Sequence, residues 1–206
     1  MESIKVKKIL SIAGSDSGAG AGVQADLKTF AALGAYGTSV ITAVTAQNTL
    51  GVTDLLPIPA STVANQIDAV LSDIGADAIK TGMLATQEII GAVVSTLSKY
   101  DLPKLVVDPV MISTTGSRLI TEDAVETLRT KLLPIADVIT PNISEAEALL
   151  GHTIETMDEL RQSARLIMEL GPKAVVITGG FRSGPATDLV YDGTEYSVMM
   201  VLNIVL

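Results

Sequence analysis

Short apolar runs alternate with longer segments of helical periodicity along most of this sequence. Six runs have the length of a β-strand, at residues 9–13, 39–45, 78–81, 105–108, 138–140 and 174–178. Segments with an apolar residue every three or four positions lie between most of them, at residues 23–33, 63–74, 87–97 and 124–132. This alternation predicts an α/β fold with a mostly parallel central sheet and helices on both faces.

The last part of the sequence has a different pattern. Residues 188–192 and 195–201 predict a β-hairpin around Asp192 and Gly193. The run 198–206 is almost wholly apolar and has neither a cap nor a turn signal. No linker or repeat interrupts the sequence, so we expect residues 1–206 to form a single domain, and we expect the sequence to be part of a longer chain.

The composition narrows the functional class. Hydrophobic residues make up 48% but aromatic residues only 3%, as in a core where aliphatic helices cover a parallel sheet. The net charge of −9 argues against nucleic acid as a partner. With no Cys and one His, thiolate and His-rich metal sites are excluded. No apolar run reaches the roughly 18 residues of a membrane span, so we expect a cytoplasmic protein without a membrane partner.

A glycine-rich loop at residues 14–22 follows the first predicted strand and precedes a predicted helix. A P-loop requires a Gly-Lys pair, which the sequence lacks, and the dinucleotide-binding fingerprint requires glycine where Val23 stands. The loop is therefore either a tight strand-to-helix turn or one wall of a small-molecule site. The density of glycines favours the second, because glycine lets the backbone approach a ligand closely.

Polar or glycine residues follow five of the predicted strands. They include Gln47, Lys80 to Gly82, Asp108, Asn142 with Glu145, and Gly179 with Gly180. Each has an ordinary structural explanation, such as a solvated amide, a turn residue before proline or a first-turn helix acid. Ligands of open α/β sheets bind outside the carboxyl ends of the strands, so their shared position favours a binding site there.

The chemistry of these side chains indicates phosphoryl transfer. Carboxylates such as Asp108 and Glu145 are oxygen ligands that suit Mg²⁺, directly or through water. Positioning and charge neutralisation carry most of phosphoryl-transfer catalysis, which Asn142 and glycine backbone can assist. A Ser/His/Asp arrangement is excluded, because the only histidine, His152, follows a predicted helix end. A capping-box pattern from Ser144 to Glu147 accounts for Glu147 structurally.

Five segments in order carry a family resemblance: residues 14–26, 44–49, 80–84, 108–111 and 140–146. Together they resemble the hydroxymethylpyrimidine/phosphomethylpyrimidine kinases of thiamine biosynthesis, in the ribokinase-like superfamily, to about residue 200. The resemblance implies a three-layer ribokinase-like fold and a homodimer. It also implies phosphorylation of 4-amino-5-hydroxymethyl-2-methylpyrimidine, and then of its monophosphate, with ATP and Mg²⁺.

The resemblance assigns roles residue by residue. Gln47 would hydrogen-bond the aminopyrimidine, which fits an amide that presents a donor beside an acceptor. The other substrate-binding residues would be Gly14, Ala21, Asp26, Met83 and Val110. The residues near ATP and its phosphates would be Asp108, Asn142, Glu145, Thr178 and Gly180. Of these, Asp108 and Glu145 would be the metal-binding pair.

Two departures from the family pattern qualify the resemblance. Thr178 stands where the family often has lysine, so phosphate binding would depend more on Mg²⁺ and backbone. The family's Gly-Thr-Gly-Cys segment is absent, so no catalytic residue is assigned and we expect little turnover from these 206 residues alone. Two alternatives stay open: a pyridoxal-type vitamin B6 kinase, since the segments at 108 and 140 also occur there, and a non-catalytic pyrimidine-binding module.

Overall fold

The computed structural model describes residues 5–111, 120–179 and 187–200. The strands are β1 (Lys8–Ser15), β2 (Tyr36–Asn48), β3 (Gly51–Pro57), β4 (Ala78–Thr81), β5 (Lys104–Val107), β6 (Val138–Ile139), β7 (Ala174–Ile177), β8 (Thr187–Tyr191) and β9 (Tyr196–Met200). They form one sheet in the order β3-β2-β1-β4-β5-β6-β7-β8-β9. Neighbouring strands in the stretch β2-β1-β4-β5-β6-β7 are parallel. The three remaining strands, β3, β8 and β9, pair antiparallel with their neighbours. The predicted mostly parallel sheet is confirmed.

Helices cover both faces of this sheet, as predicted. They are α1 (Gly22–Ala32), α2 (Ala60–Asp73), α3 (Gln87–Leu97), α4 (Glu122–Thr127), α5 (Ile143–Leu150) and α6 (Met157–Met168). The main core joins strand residues such as Leu10 and Ile79 to Val63 and Ile67 of α2. Val23 of α1 is buried but lies outside that core, because α1 packs on the opposite face. Within the described ranges, no helix is long and apolar enough to cross a membrane.

The strand order creates a crevice at the carboxyl end of β1. The connection through α1 leads to β2 on one side of β1, and the connection through α2 leads to β4 on the other. Since crossovers between parallel strands are right-handed, α1 and α2 lie on opposite faces. The loop that leaves β1 runs towards β2, and the loop that leaves the adjacent β4 runs towards β5, so the two diverge at a topological switch point, where α/β proteins bind ligands. The glycine-rich loop occupies this position.

Two aspartates stabilise the amino-terminal edge of the sheet, which lies opposite the crevice. Asp77 accepts a hydrogen bond from the backbone N–H of Lys8 at 2.9 Å, and Asp137 accepts one from Leu105 at 2.9 Å. The Lys173 ammonium lies 2.9 Å from the Asp137 carboxylate. Hydrogen bonds from Lys173 and from the Leu105 backbone lower the pKa of Asp137 to about 2. These contacts tie neighbouring strands together far from the crevice.

Strand β3 departs from the predicted pattern of elements, and the C-terminal hairpin agrees with it. Strand β3 was not predicted, because most of its side chains are exposed and it lacks a regular apolar alternation. It pairs with the extended end of β2, and the register shifts between Ala46 and Gln47. The predicted C-terminal hairpin is confirmed by the antiparallel pairing of β8 and β9. Residues 201–206 of the apolar run lie outside the described residues.

Candidate active site at the carboxyl edge of the sheet

A cavity of about 290 Å³ opens in the crevice at the carboxyl edge of the sheet. Most of the predicted site residues line it: Gly14, Ala21, Gln47, Met83, Asp108, Val110, Asn142, Glu145 and Thr178. Asp26, predicted to line the substrate pocket, is not among the lining residues. Gly180, predicted near the phosphates, lies outside the described residues. The strand-end pattern thus locates one shared cavity.

The start of α5 differs from the prediction. The capping box consists of Asn142 and Glu145, not Ser144 and Glu147. Asn142 is extended and forms a parallel bridge with Thr178, so the chain enters the helix two residues earlier than predicted. The Asn142 side chain accepts the N–H of Glu145, and Glu145 accepts the N–H of Asn142, both at 2.9 Å. Glu147 accepts the N–H of Ile154 instead.

Glu145 is a buried acid in this arrangement, only 4% exposed. Burial raises its pKa to about 7, although the N–H groups of Asn142 and Met111 bind its carboxylate. The negative charge of Asp108 raises the pKa further. Burial also raises the pKa of Asp108, against the opposing effect of the Lys80 ammonium. Two acids that repel each other at one end of the cavity favour a bound cation there.

Lys80 is a site residue to which the sequence assigned no role. Its ammonium lies 3.2 Å from an oxygen of Asp26 and 3.3 Å from one of Asp108. Ser11, which pairs with Lys80 in the sheet register, donates a hydrogen bond to Asp26 at 2.6 Å. The signal was a lysine after Ala78 and Ile79 in a short strand, where a charged side chain needs partners.

Gln47 lies on the opposite side of the cavity, at the end of β2. Its Oε1 lies 3.3 Å from the Thr45 hydroxyl, which makes a shorter hydrogen bond to the Ser15 carbonyl oxygen at 2.7 Å. Among the residues that the structure describes, its Nε2 has no hydrogen-bond partner. The amide therefore keeps a donor, and part of its acceptor capacity, for a ligand.

The glycine-rich loop shapes the wall between these two ends. A Cβ at Gly14 would lie 2.5 Å from Cε of Met83, so any side chain there would displace Met83 from the cavity wall. Asp16, to which the sequence also assigned no role, is buried, and its carboxylate accepts backbone N–H groups of the loop itself. The loop's own carboxylate thus occupies the donors that a phosphate-binding loop would offer to its ligand.

The oxygen chemistry of the acid pair suits a divalent cation such as Mg²⁺. Across residues 5–111, 120–179 and 187–200, no group of three or more acidic or histidine side chains could hold a metal ion. Mg²⁺ commonly uses only one or two carboxylates, with water and substrate phosphates completing its shell. Both oxygens of Glu145 already accept backbone N–H groups, so Asp108 is the more available ligand and Glu145 suits contact through water.

Comparison with known proteins identifies the family. The family model for phosphomethylpyrimidine kinase matches residues 16–202. A hydroxymethylpyrimidine/phosphomethylpyrimidine kinase of Haemophilus influenzae is 51% identical, over 91% of this chain and 70% of the relative. A thiamine biosynthetic bifunctional enzyme of Arabidopsis thaliana is 49% identical over 93% of this chain, which spans only 37% of that longer protein.

Solved structures agree with the sequence comparison. The crystal structure of phosphomethylpyrimidine kinase from Clostridium difficile superimposes with a TM-score of 0.87 at 46% identity, over 94% of this chain and 84% of the other. A pyridoxal kinase of Staphylococcus aureus, in complex with AMP-PCP and pyridoxal, gives a TM-score of 0.85 at 38% identity, over 96% and 72%. These matches confirm the predicted ribokinase-like fold. The chain therefore belongs to the phosphomethylpyrimidine kinase family.

Proposed function

We propose that this protein is a kinase of thiamine biosynthesis. It transfers a phosphoryl group from ATP to the hydroxymethyl oxygen of 4-amino-5-hydroxymethyl-2-methylpyrimidine, and then a second one to the resulting monophosphate. The observation that carries the proposal is the single cavity that has Gln47 at one end and the Asp108, Asn142 and Glu145 group at the other. Those two ends supply the two requirements of the reaction, recognition of an aminopyrimidine and neutralisation of phosphate charge.

On the substrate side, Gln47 pairs with the aminopyrimidine edge through its Nε2 donor and its Oε1 acceptor. Met83 and Val110 provide apolar contact with the ring, and Gly14 and Ala21 allow close backbone approach. Asp26 acts from behind the cavity, through its ion pair with Lys80. Lys80 in turn holds Asp108 at the boundary between the two sides.

On the phosphate side, Asp108 and Glu145 would hold Mg²⁺, with Asp108 the more available ligand. The ion would supply neutralisation of negative charge on the ATP phosphates. Asn142 fixes Glu145 through the capping box, and the Thr178 hydroxyl can donate to a phosphate oxygen where the family often has lysine. The family resemblance also assigns Gly180, two residues after Thr178 in the sequence, to the same phosphates.

The second candidate is a vitamin B6 kinase. Its support is the pyridoxal kinase of Staphylococcus aureus, which shares the fold at 38% identity. Pyridoxal lacks the amino group of the aminopyrimidine, so the two candidates require different hydrogen bonds from Gln47. A competition assay separates them, because pyridoxal should inhibit pyrimidine phosphorylation strongly only if the second candidate is correct.

We further propose that the protein is a cytoplasmic homodimer and that residues 1–206 form one kinase domain. One sheet connects β1 to β9, which supports a single domain. Val44 and Leu56 face each other across β2 and β3, and both are exposed, at 46% and 64%. A second copy would cover this apolar pair. Sedimentation analysis of Leu56→Asp against wild type tests the dimer.

The test of the proposed function is ATP-dependent product formation by the full-length protein with either pyrimidine as substrate. We expect product from both pyrimidines and a loss of product when Mg²⁺ is chelated. Binding of the pyrimidine without ATP binding or turnover would instead identify a non-catalytic binding module. Absence of both binding and product would refute the proposal.

A further inference from the structure

The hydroxyl of Ser17 makes two hydrogen bonds to the backbone of Gln47. It donates to the Gln47 carbonyl oxygen at 2.6 Å and accepts from the Gln47 N–H at 2.8 Å. Ser17 is thirty residues away in sequence, on the exposed side of the glycine-rich loop. One side chain thus binds both main-chain polar groups of the residue that faces the pyrimidine end of the cavity.

Gln47 needs this support because the β2–β3 ladder is irregular at its position. The pairing register shifts between Ala46 and Gln47, and only one more pair, Asn48 with Gly51, follows before the turn. Regular strand pairing therefore fixes this segment less firmly than the residues before it. The Ser17 hydroxyl takes the place that a neighbouring strand would otherwise occupy.

The loop that presents Ser17 is itself held by Asp16. The Asp16 carboxylate accepts hydrogen bonds from the N–H groups of Gly18, Gly20 and Ala21, at 2.8, 2.9 and 2.8 Å. A Cβ at Gly18 would lie 3.4 Å from the Gln47 carbonyl oxygen, so the loop packs closely on the end of β2. Buried at 4% exposure, Asp16 thereby determines where Ser17 meets Gln47.

We propose that Ser17, held by Asp16, is a positioning residue that fixes the Gln47 amide and so determines affinity for the aminopyrimidine. This inference rests on the proposed function, because it assigns the recognition of the pyrimidine to Gln47. Ser17 does not contact the substrate and acts only through Gln47. The glycine-rich loop thus serves substrate selection and does not bind the nucleotide.

The test measures pyrimidine affinity by calorimetry for wild type, Ser17→Ala and Ser17→Thr. We expect Ser17→Ala to raise the dissociation constant for 4-amino-5-hydroxymethyl-2-methylpyrimidine about three- to tenfold, which corresponds to the loss of one or two hydrogen bonds. Ser17→Thr, which keeps the hydroxyl, should restore most of the affinity. The matched control Ser95→Ala removes an exposed hydroxyl that bonds to its own helix, and should change nothing.

A double-mutant comparison separates positioning from general stability. In a Gln47→Ala background, Ser17→Ala should weaken binding no further, since the side chain that it positions is gone. Amide hydrogen exchange at Gln47 should be faster in Ser17→Ala than in wild type, with or without ligand. Asp16→Asn should weaken binding at least as much as Ser17→Ala, because an amide cannot accept all three loop N–H groups.

The outcomes distinguish a failure of the positioning role of Ser17 from a failure of the proposed function. Unchanged pyrimidine affinity and unchanged Gln47 exchange in Ser17→Ala would overturn the inference alone. A further loss of affinity on the Gln47→Ala background would also overturn it, since Ser17 would then act by another route. A wild-type protein that binds no pyrimidine would overturn the proposed function and the inference with it.

Discussion

Replacement of Glu145 by Gln should change how the stability of the protein depends on pH. Glu145 is 4% exposed, and burial raises the pKa of its carboxyl group to about 7, from an unfolded value of 4.5. Between those two values the folded protein holds a proton that the unfolded chain has released. The resulting stability is fully present below pH 4.5 and is lost as the pH rises through 7.

The expected size of this effect follows from the two pKa values. Each pKa unit corresponds to about 1.4 kcal/mol, so the linkage between pH 5 and pH 8 amounts to about 2 to 3 kcal/mol. Glutamine cannot titrate, so the difference in free energy of unfolding between wild type and Glu145→Gln should change by this amount. Wild type should become less stable relative to the variant as the pH rises. Above pH 8 the difference should be constant.

Urea denaturation in buffers with chelator, at intervals from pH 5 to pH 8, measures this difference. Glu126→Gln is the matched control, because Glu126 has a side chain that is 63% exposed on α4. Its curve should run parallel to that of wild type. A difference between wild type and Glu145→Gln that stays constant over the whole range would refute the claim that burial governs the charge of Glu145.

Three further changes have expected outcomes. Lys80→Met should lower the free energy of unfolding by about 2 kcal/mol, because it leaves two carboxylates without their cation, and adding Asp26→Asn should recover part of the loss in urea denaturation. Asp137→Asn should cost about 1 kcal/mol at pH 7 through lost hydrogen bonds at the sheet edge. The contribution of Asp137 to the free energy of unfolding should disappear as the pH falls from about 4 towards 2, since its folded pKa lies below its unfolded pKa. Gln47→Ala should weaken pyrimidine binding about tenfold in calorimetry and leave ATP binding unchanged; equal weakening of both would contradict its assignment to the substrate side.

Most of the sheet could be predicted from the sequence because its inner strands are short apolar runs separated by periodic helices. Strand β3 could not, since an exposed edge strand such as Gly51–Pro57 has little apolar pattern to detect. The start of α5 was also ambiguous, because Asn142 with Glu145 and Ser144 with Glu147 share the same capping spacing. The bridge between Asn142 and Thr178 decides between them, and it depends on a strand thirty-odd residues away.

The candidate site was predictable to the extent that topology alone determines it. The carboxyl ends of parallel strands meet at one edge, so Gln47, Asp108 and Glu145 lie around one cavity. The contacts between elements were not predictable. Lys80 joins Asp26 to Asp108, and Ser17 binds the backbone of Gln47, through distances that no sequence spacing expresses. Asp26 contacts Lys80 and Ser11 and is not among the residues that line the cavity.

The most direct test of the proposed kinase activity is the mass of the product. The full-length protein is incubated with ATP, Mg²⁺ and 4-amino-5-hydroxymethyl-2-methylpyrimidine, and the pyrimidine is followed by mass spectrometry. The proposal predicts that the pyrimidine gains one phosphoryl group and then a second, with ADP formed in step. A pyrimidine of unchanged mass, beside efficient phosphorylation of pyridoxal under the same conditions, would contradict it.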